Sequence, residues 1–484
     1  METKEKNTAT PYDLDGKPPL KLAIPLGLQH VLAMFVGNLT PLIIVMGVCG
    51  LTADAGFGEL RTALLQNAMI IAGVVTLVQM FSIGPVGGKV PIVMGTSSGF
   101  LGVLNNTVAA CGGGILAYGA IMGACIVGGI FESVLGAFLK PLRKFFPPIV
   151  TGSVVIAIGL SLLGVGINYF CGGSGKADYG SLPNLFLGFV VLVVIVLLKH
   201  FAPQKSILSS SAILFGILAG YVVAIIMTLT LPHTGIDADG VQYTYSWVVD
   251  FAQVKNAAWI AVPSFIGFGA LSDVKITFQA SAIIPIGIMF IVTAIETVGD
   301  ISACIEGGMD REATDSELSG GVICDGLGSA FAALFGVLPN TSFSQNVGLV
   351  SLTKVVNRFA ISMGAIFLIL CGFCPKIGAL MSIMPQSVLG GAAVMMFASI
   401  LISGIQLITK HPIGSREITI ISVAIGLGYG LGATTGATAH LPYYVQLIFG
   451  GSGIVPCSLA AIILNIVLPK ESKPVREMWE LEDK

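Results

Sequence analysis

Charge is what this sequence has least of. Only 10% of its 484 residues are Asp, Glu, Lys or Arg, while 54% are hydrophobic; in soluble domains about a quarter are charged. The formal net charge of −2 says nothing about partners; no nucleic-acid partner is expected. The first twenty residues, METKEKNTATPYDLDGKPPL, have no apolar core or small-residue cleavage site of a secretory leader, and read as a short disordered cytoplasmic tail. Metal and redox chemistry find no framework. The nine cysteines are scattered through apolar runs, where cysteine behaves as a small hydrophobe. One close pair, Cys371 and Cys374 in CGFC, has no second pair or histidine cluster beside it. GGSGK at 172–176 lacks the first glycine of a P-loop and has Ala177 where Ser or Thr belongs. With no nucleophile–base arrangement visible, an enzyme is not expected.

What is there is apolar length. Mean hydropathy is +0.91, and windows such as ALLQNAMIIAGVVTLVQMF and SILSSSAILFGILAGYVVAIIMTLTL recur along the whole chain. Runs of roughly 17–25 apolar residues are what cross about 30 Å of hydrocarbon. The chain reads as an all-α polytopic membrane protein, with the lipid bilayer as its first partner.

Lys and Arg concentrate in cytoplasmic loops, so their positions count crossings. They cluster at Lys4 to Lys21, Lys89, Lys140 to Lys144, Lys199 and Lys205, Arg311, Lys354 and Arg358, Lys410 and Arg416, and from Lys470 onward. Setting all of these inside leaves only Arg61, Lys176, Lys255, Lys275 and Lys376 outside. Residues 90–139 must then cross twice. ILAYGAIMGACIVGGIFESVLGAF supplies one crossing, and the other falls to VPIVMGTSSGFLGVL, which is short and rich in Gly, Ser and Thr. The same problem recurs between Arg311 and Lys354, where LPNTSFSQNVGLVSLTK must return. The count is fourteen transmembrane segments in a 7+7 inverted repeat, both termini cytoplasmic, with spans 3 and 10 broken. Paired interrupted spans point to a transporter site at the midplane, because polar backbone at that depth must face protein or water.

At 1.5 Å per helical residue, His30 lies about 14 Å inside the membrane from Lys21. Glu296 and Gln345 fall at similar depth, so three polar residues from three spans converge. Asp300 follows Glu296 at i,i+4, and Asp325 enters from span 9, reached from the cytoplasmic side. Taken alone, His30 could simply bond a neighbouring carbonyl. Gln345 and Asn346 could cap a helix while also forming an oriented donor site. The carboxylates are harder to dismiss, since each costs about 2.5–3.5 kcal/mol at this depth even on insertion scales, and such residues usually line a substrate or proton path. No Lys or Arg in these spans neutralises them. The set suits a small neutral solute with adjacent N–H and C=O groups, a nucleobase being the obvious class. Because burial increases a carboxyl's hold on its proton, the lower carboxylate pair suits proton coupling.

These residues resemble the nucleobase–ascorbate transporters, the xanthine/uracil permeases. That family's signature is met by Gln345, Asn346, Val347, Gly348, LVSL, Thr353 and Lys354. Gln29 and His30 match its first-span pair, ETVGD supplies Glu296 and Asp300, and CDGLG supplies Asp325. The resemblance implies short strands in spans 3 and 10 and a core domain beside a gate domain. The core comprises residues 21–145 (spans 1–4) and 279–374 (spans 8–11), and the gate 146–232 (spans 5–7) and 375–469 (spans 12–14). Residues 1–20 and 470–484 are then cytoplasmic tails, and 233–278 an extracellular or periplasmic loop. It further implies a cell-membrane symporter of a purine substrate, xanthine or uric acid, with no cofactor beyond a co-transported proton, and a homodimer through the gate. By analogy Glu296 and Gln345 hold the base, Ser97 lines the pocket with Asn346, His30 and Gln29, and Asp325 and Asp300 serve coupling. Gln345 resembles purine members, where uracil transporters carry Glu. Val347 departs from their commoner Asn and leaves xanthine against uric acid open. The rivals are a uracil or other base permease and, in a different class, an anion exchanger or channel of the same architecture.

Overall fold

The computed structural model describes residues 10–469 except 143–146, 174, 204–205, 237–240, 410–411, 435, 443–444, 447–448 and 450–452. The tail 470–484 and, among the other basic residues counted above, Lys4, Lys6, Arg143, Lys144, Lys205 and Lys410 lie outside the described residues.

Hydrocarbon supplies no hydrogen bonds, so apolar runs must satisfy their backbone internally and become helices. The first half comprises α1 (Leu20–Val48), α2 (Gly58–Phe81), β1 (Met94–Thr96), α3 (Leu101–Ala110), α4 (Gly114–Ala137), α5 (Pro148–Phe170), α6 (Leu182–Phe201) and α7 (Ala212–Thr230). A long connection follows, and within it β2 (Thr234–Ile236) and β3 (Gln242–Thr244) pair antiparallel. The second half comprises α8 (Ala280–Met309), α9 (Asp315–Leu334), β4 (Asn340–Ser342), α10 (Ser344–Thr353), α11 (Arg358–Gly372), α12 (Pro375–Ser382), α13 (Gln386–Thr409), α14 (Ser415–Ala433) and α15 (Ile454–Val467). Among the described residues eight helices are long and apolar enough to cross a bilayer, or nine if α11 and α12, bent by 82°, form one span. This is a mostly helical, multi-pass membrane protein.

The helices pack in two sets. α1, α2, α4, α8, α9 and α11 pack around the strands β1 and β4, while α5, α6, α7, α13, α14 and α15 pack on one another. Between α1 and α11 the backbones touch. A Cβ on Gly27 would lie 2.3 Å from the Ala360 carbonyl oxygen, and one on Gly364 2.1 Å from that of Gly27, so only glycine permits this crossing.

The two polar stretches expected to break spans 3 and 10 are each a short strand followed by a short helix, the strands being where the resemblance implied them. β1 and β4 pair antiparallel, with Met94 opposite Ser342, Gly95 opposite Thr341 and Thr96 opposite Asn340. All six residues are buried. Helix hydroxyls close the outer edges. The Thr76 hydroxyl of α2 accepts from Met94 N (2.9 Å) and donates to its carbonyl (3.1 Å). Ser329 of α9 does the same for Asn340 (2.9 and 3.1 Å). Buried backbone that leaves the helix thereby finds hydroxyl partners at the outer edge of each strand, as burial demands.

The amino-terminal segment departs from expectation. Residues 10–16 form an ordered strap rather than a disordered tail; residues 1–9 lie outside the described residues. The Pro11 carbonyl accepts from the N–H groups of Val356 and Asn357 (3.2 Å each), and that of Leu14 from Arg358 (3.1 Å). Asn357 donates to the Asp13 carbonyl (2.9 Å), and Arg358 pairs with Asp15. The strap therefore grips the turn joining α10 to α11.

Candidate functional site

α8 carries the site because its polar residues fall on adjoining stripes of one long helix. Thr293 and Thr297 are one turn apart, and Glu296 and Asp300 are likewise. Thr297 and Asp300 face hydroxyls and carboxyls brought by α9, β4 and α10.

Glu296 lines a recess with Gly37 of α1, Thr96 of β1, Ser98 and Gly99 that follow it, Thr341 and Ser342 of β4, and Phe343. Its Oε2 is buried without a hydrogen-bond partner among the described residues, as is Ser97 Oγ. A methyl group placed on Gly99 would sit 3.5 Å from Ser97 Oγ and 3.7 Å from Glu296 Oε2. Two unpaired oxygens thus flank one small gap, with the acceptor strength of a carboxylate on one side. Pro41 has no N–H to give the carbonyl four residues back, that of Gly37, which also lines the recess.

Asp300 is bonded through both oxygens: Ser342 Oγ donates to Oδ2 (2.6 Å), and Ser344 Oγ lies 2.9 Å from Oδ1 and 3.0 Å from Oδ2. Asp300 and Ser344 also line a larger cavity of about 620 Å³ with Gly348, Ser351, Ser403 and Gln406. Asp325 differs. It is fully buried on α9, accepting from the Thr297 hydroxyl and from Thr341 Oγ1 (3.4 Å). Its expected access from the cytoplasmic side is not what the structure has: Asp300, not Asp325, lines the larger cavity. The glycines beside Asp325 bring α9 tightly onto α4: a Cβ on Gly326 would lie 2.4 Å from the Gly129 carbonyl oxygen.

Among the remaining expected residues, Asn346 is buried at the start of α10 and donates to the His30 carbonyl (2.8 Å), with His30 Nδ1 at 3.4 Å. It therefore ties α10 to α1 instead of capping its own helix, whose N-cap is Phe343 without a side-chain bond. His30 and Gln29 are buried on α1 and are not among the residues lining either cavity. Gln345 sits in the first turn of α10, and its side chain lies outside the described residues. Gly348 faces the larger cavity. Thr353 Oγ1 bonds the Leu349 carbonyl (2.8 Å), and Lys354 ends α10 in a left-handed conformation (φ +58°) while pairing with Asp310 (3.1 Å).

Glu132 of α4 was not anticipated. Fully buried, it accepts from Thr293 Oγ1 (3.2 Å) through Oε1, while Oε2 has no partner among the described residues. FESV was the signal, one carboxyl inside a 24-residue apolar helix. Four carboxyls thus gather around α8. No Lys or Arg bonds any of them among the described residues.

Compared with known proteins, the chain matches the model of the Permease family (Xan_ur_permease) over residues 21–436. It is 35% identical over 453 residues to the xanthine permease of Bacillus subtilis, spanning 93% of this chain and 94% of that protein. It is 34% identical over 441 residues to the uric acid permease PucK of the same organism, spanning 91% and 94%. Likeness to solved structures is one of fold. The transmembrane domain of the cyanobacterial bicarbonate transporter BicA gives a TM-score of 0.51 at 15% identity, covering 92% of this chain and 97% of that one. SLC26A9 gives 0.58 at 12%, covering 94% and 67%.

Proposed function

This chain belongs to the Permease family, a family of transporters and not of enzymes, and from that premise we propose that it imports a purine base, xanthine or uric acid, across the cell membrane in symport with protons. The carrying observation is the unpaired Oε2 of Glu296 beside Ser97 Oγ, in a recess framed by two broken spans. A carboxylate there takes the N–H groups of a purine in charge-assisted bonds. Gln345, in the first turn of α10, supplies a carboxamide for the carbonyls. The relatives named above transport xanthine and uric acid by name, and they match nearly the whole chain.

In this reading α1–α4 with α8–α11 form the core, and α5–α7 with α13–α15 the gate. Seven spans in each half stand in inverted orientation, both tails are cytoplasmic, and two copies meet through their gates. The packing pattern supports the repeat. Exchanging α1, α2, α4, α5, α6 and α7 for α8, α9, α11, α13, α14 and α15 maps observed neighbours onto observed neighbours: α4 on α9 becomes α11 on α2, and α4 on α8 becomes α11 on α1. Thr76 on β1 likewise becomes Ser329 on β4. Transport then proceeds by alternating access, the core carrying its site past the gate.

The fold likeness to BicA and SLC26A9 favours a second reading, anion exchange. A fixed carboxylate in the recess, with no cation bonded to it among the described residues, opposes it. Uptake of radiolabelled xanthine, uric acid, uracil and sulfate, with and without a protonophore, discriminates. Protonophore-sensitive purine uptake is expected, and sulfate uptake without purine uptake would overturn the proposal.

A further inference from the structure

Asp325 is sealed and Asp300 faces the larger cavity, yet hydroxyls connect them. Thr297 Oγ1 donates to Asp325 Oδ2, Thr297 Oγ1 and Ser342 Oγ lie 3.4 Å apart, and Ser342 Oγ donates to Asp300 Oδ2 (2.6 Å). Thr341 Oγ1 reaches Asp325 and Thr297, each at 3.4 Å. Among the described residues it has no bond to Asp300, so the path runs through Thr297 and Ser342. The chain Asp325–Thr297–Ser342–Asp300 spans from α9 across α8 and β4 to the cavity.

We propose that the Thr297 and Ser342 hydroxyls relay the transported proton between Asp300, its point of exchange with the cavity, and the sealed Asp325. This rests on the proton-symport reading above. The transfer balances: the O–H bond of protonated Asp300 breaks as Ser342 Oγ takes that proton. Ser342 releases its own to Thr297 Oγ1, and Thr297 releases its own to Asp325 Oδ2. Asp300 ends as carboxylate, Asp325 as acid, and both hydroxyls end neutral, needing only to rotate back. Both now point outward, each donating to its own acid. The 3.4 Å between them exceeds the 2.7–2.8 Å of a good O–H···O bond, so this junction is open here. A shift of β4 by about half an ångström relative to α8 would close it, and β4 also lines the recess holding Glu296. Among the described residues Glu296 on the same helix and Glu132 through Thr293 are the other carboxyls here, and the buried thiols of Cys304 and Cys324 stand beside Asp300 and Asp325. They lie off the chain of hydroxyls.

Thr297 is the residue to test, since it does not line the recess. Full-length protein in proteoliposomes is compared as wild type, Thr297→Val and Thr297→Ser. Three quantities are read: xanthine and uric acid binding by thermal shift, counterflow exchange, and accumulation driven by a pH gradient. Thr297→Val is expected to keep binding and counterflow while losing accumulation by about 10²-fold, the low end of what a positioned proton-transfer group contributes. Thr297→Ser, which returns the hydroxyl, restores accumulation. Should valine prevent folding, Thr297→Ala is read by the same criteria. Normal accumulation by the hydroxyl-free variant overturns the relay alone, and so does equal loss of binding and accumulation, which marks a structural role. Wild-type accumulation that ignores a protonophore overturns the symport reading itself and is thereby distinguished.

Discussion

Glu296 and Gln345 make opposite demands on a ligand, and substitutions separate them. Glu296→Gln keeps the side chain's shape but removes the charge. Hydrogen bonds to charged groups contribute about 1.5–3 kcal/mol, so purine affinity should fall by about 10- to 10²-fold in a protein that still folds. Ligand-induced thermal stabilisation checks this, and full stabilisation by xanthine would remove Glu296 from the site. Gln345→Glu, by contrast, replaces a donor with a group that only accepts; discrimination against such mismatches is strong, and xanthine and uric acid uptake should be lost or shifted toward another base. Unchanged uptake would refute the assignment. That Glu296, Asp300 and Asp325 are buried close together was legible in the sequence because ionisable residues deep in apolar spans have few uses; the role of Gln345 stays part of the proposal. Glu132 escaped because one acid in a long apolar run leaves no spacing pattern. Thr297 escaped because threonine is unremarkable in a membrane helix until its neighbour across the bundle is known. Asp325 was found but misjudged in access: its sealing depends on how closely α9 approaches α4, a distance no single chain segment encodes.

Among the elements, the broken spans were the clearest reading. Counting Lys and Arg singled out both stretches, and β1–α3 and β4–α10 stand there; that each crosses the membrane belongs to the proposed topology. That the strands pair with each other, in which register, and that Thr76 and Ser329 close their edges comes only from tertiary structure. The strap of residues 10–16 was missed for a similar reason, since much of its grip is by backbone carbonyls, which any sequence possesses. Gly95 is where the strand pair is least forgiving. A Cβ there would lie 2.7 Å from Met34 Cε, 2.8 Å from Phe343 Cε2 and 2.9 Å from Asn38 Oδ1. Asn38 accepts from Thr96 N (2.8 Å), so displacing it loosens the strand as well. Gly95→Ala should therefore cost about 1–3 kcal/mol, the usual penalty of overpacking, together with transport. A lowered midpoint in thermal unfolding of detergent-solubilised protein checks the first. Wild-type stability would mean that β1 has room the structure does not display.

On the scale of the whole molecule, the question is whether the larger cavity is an opening that comes and goes. Its walls come from both packing sets: Asp300, Ser344 and Ser351 from one, and Ser403, Gln406 and Thr409 from α13 of the other. A cavity lined by two bodies closes when one moves past the other, whereas one enclosed in a single body does not. The proposed topology puts it on the cytoplasmic side, with Lys354 at the end of α10 and the basic Lys410 after α13 in sequence. Gln406 is exposed there. A Gln406→Cys protein, with the nine native cysteines replaced, should react with a membrane-impermeant maleimide in inside-out vesicles and resist it in right-side-out ones. Saturating xanthine should change that rate, because the recess at Glu296 is walled by α8, β1 and β4 from one set and by Ile400 of α13 from the other, so a bound base fixes the two sets relative to one another. Labelling from the outer face only would invert the topology. Equal rates with and without a transported purine would leave the cavity a fixed feature, and alternating access between these two bodies would have to be abandoned.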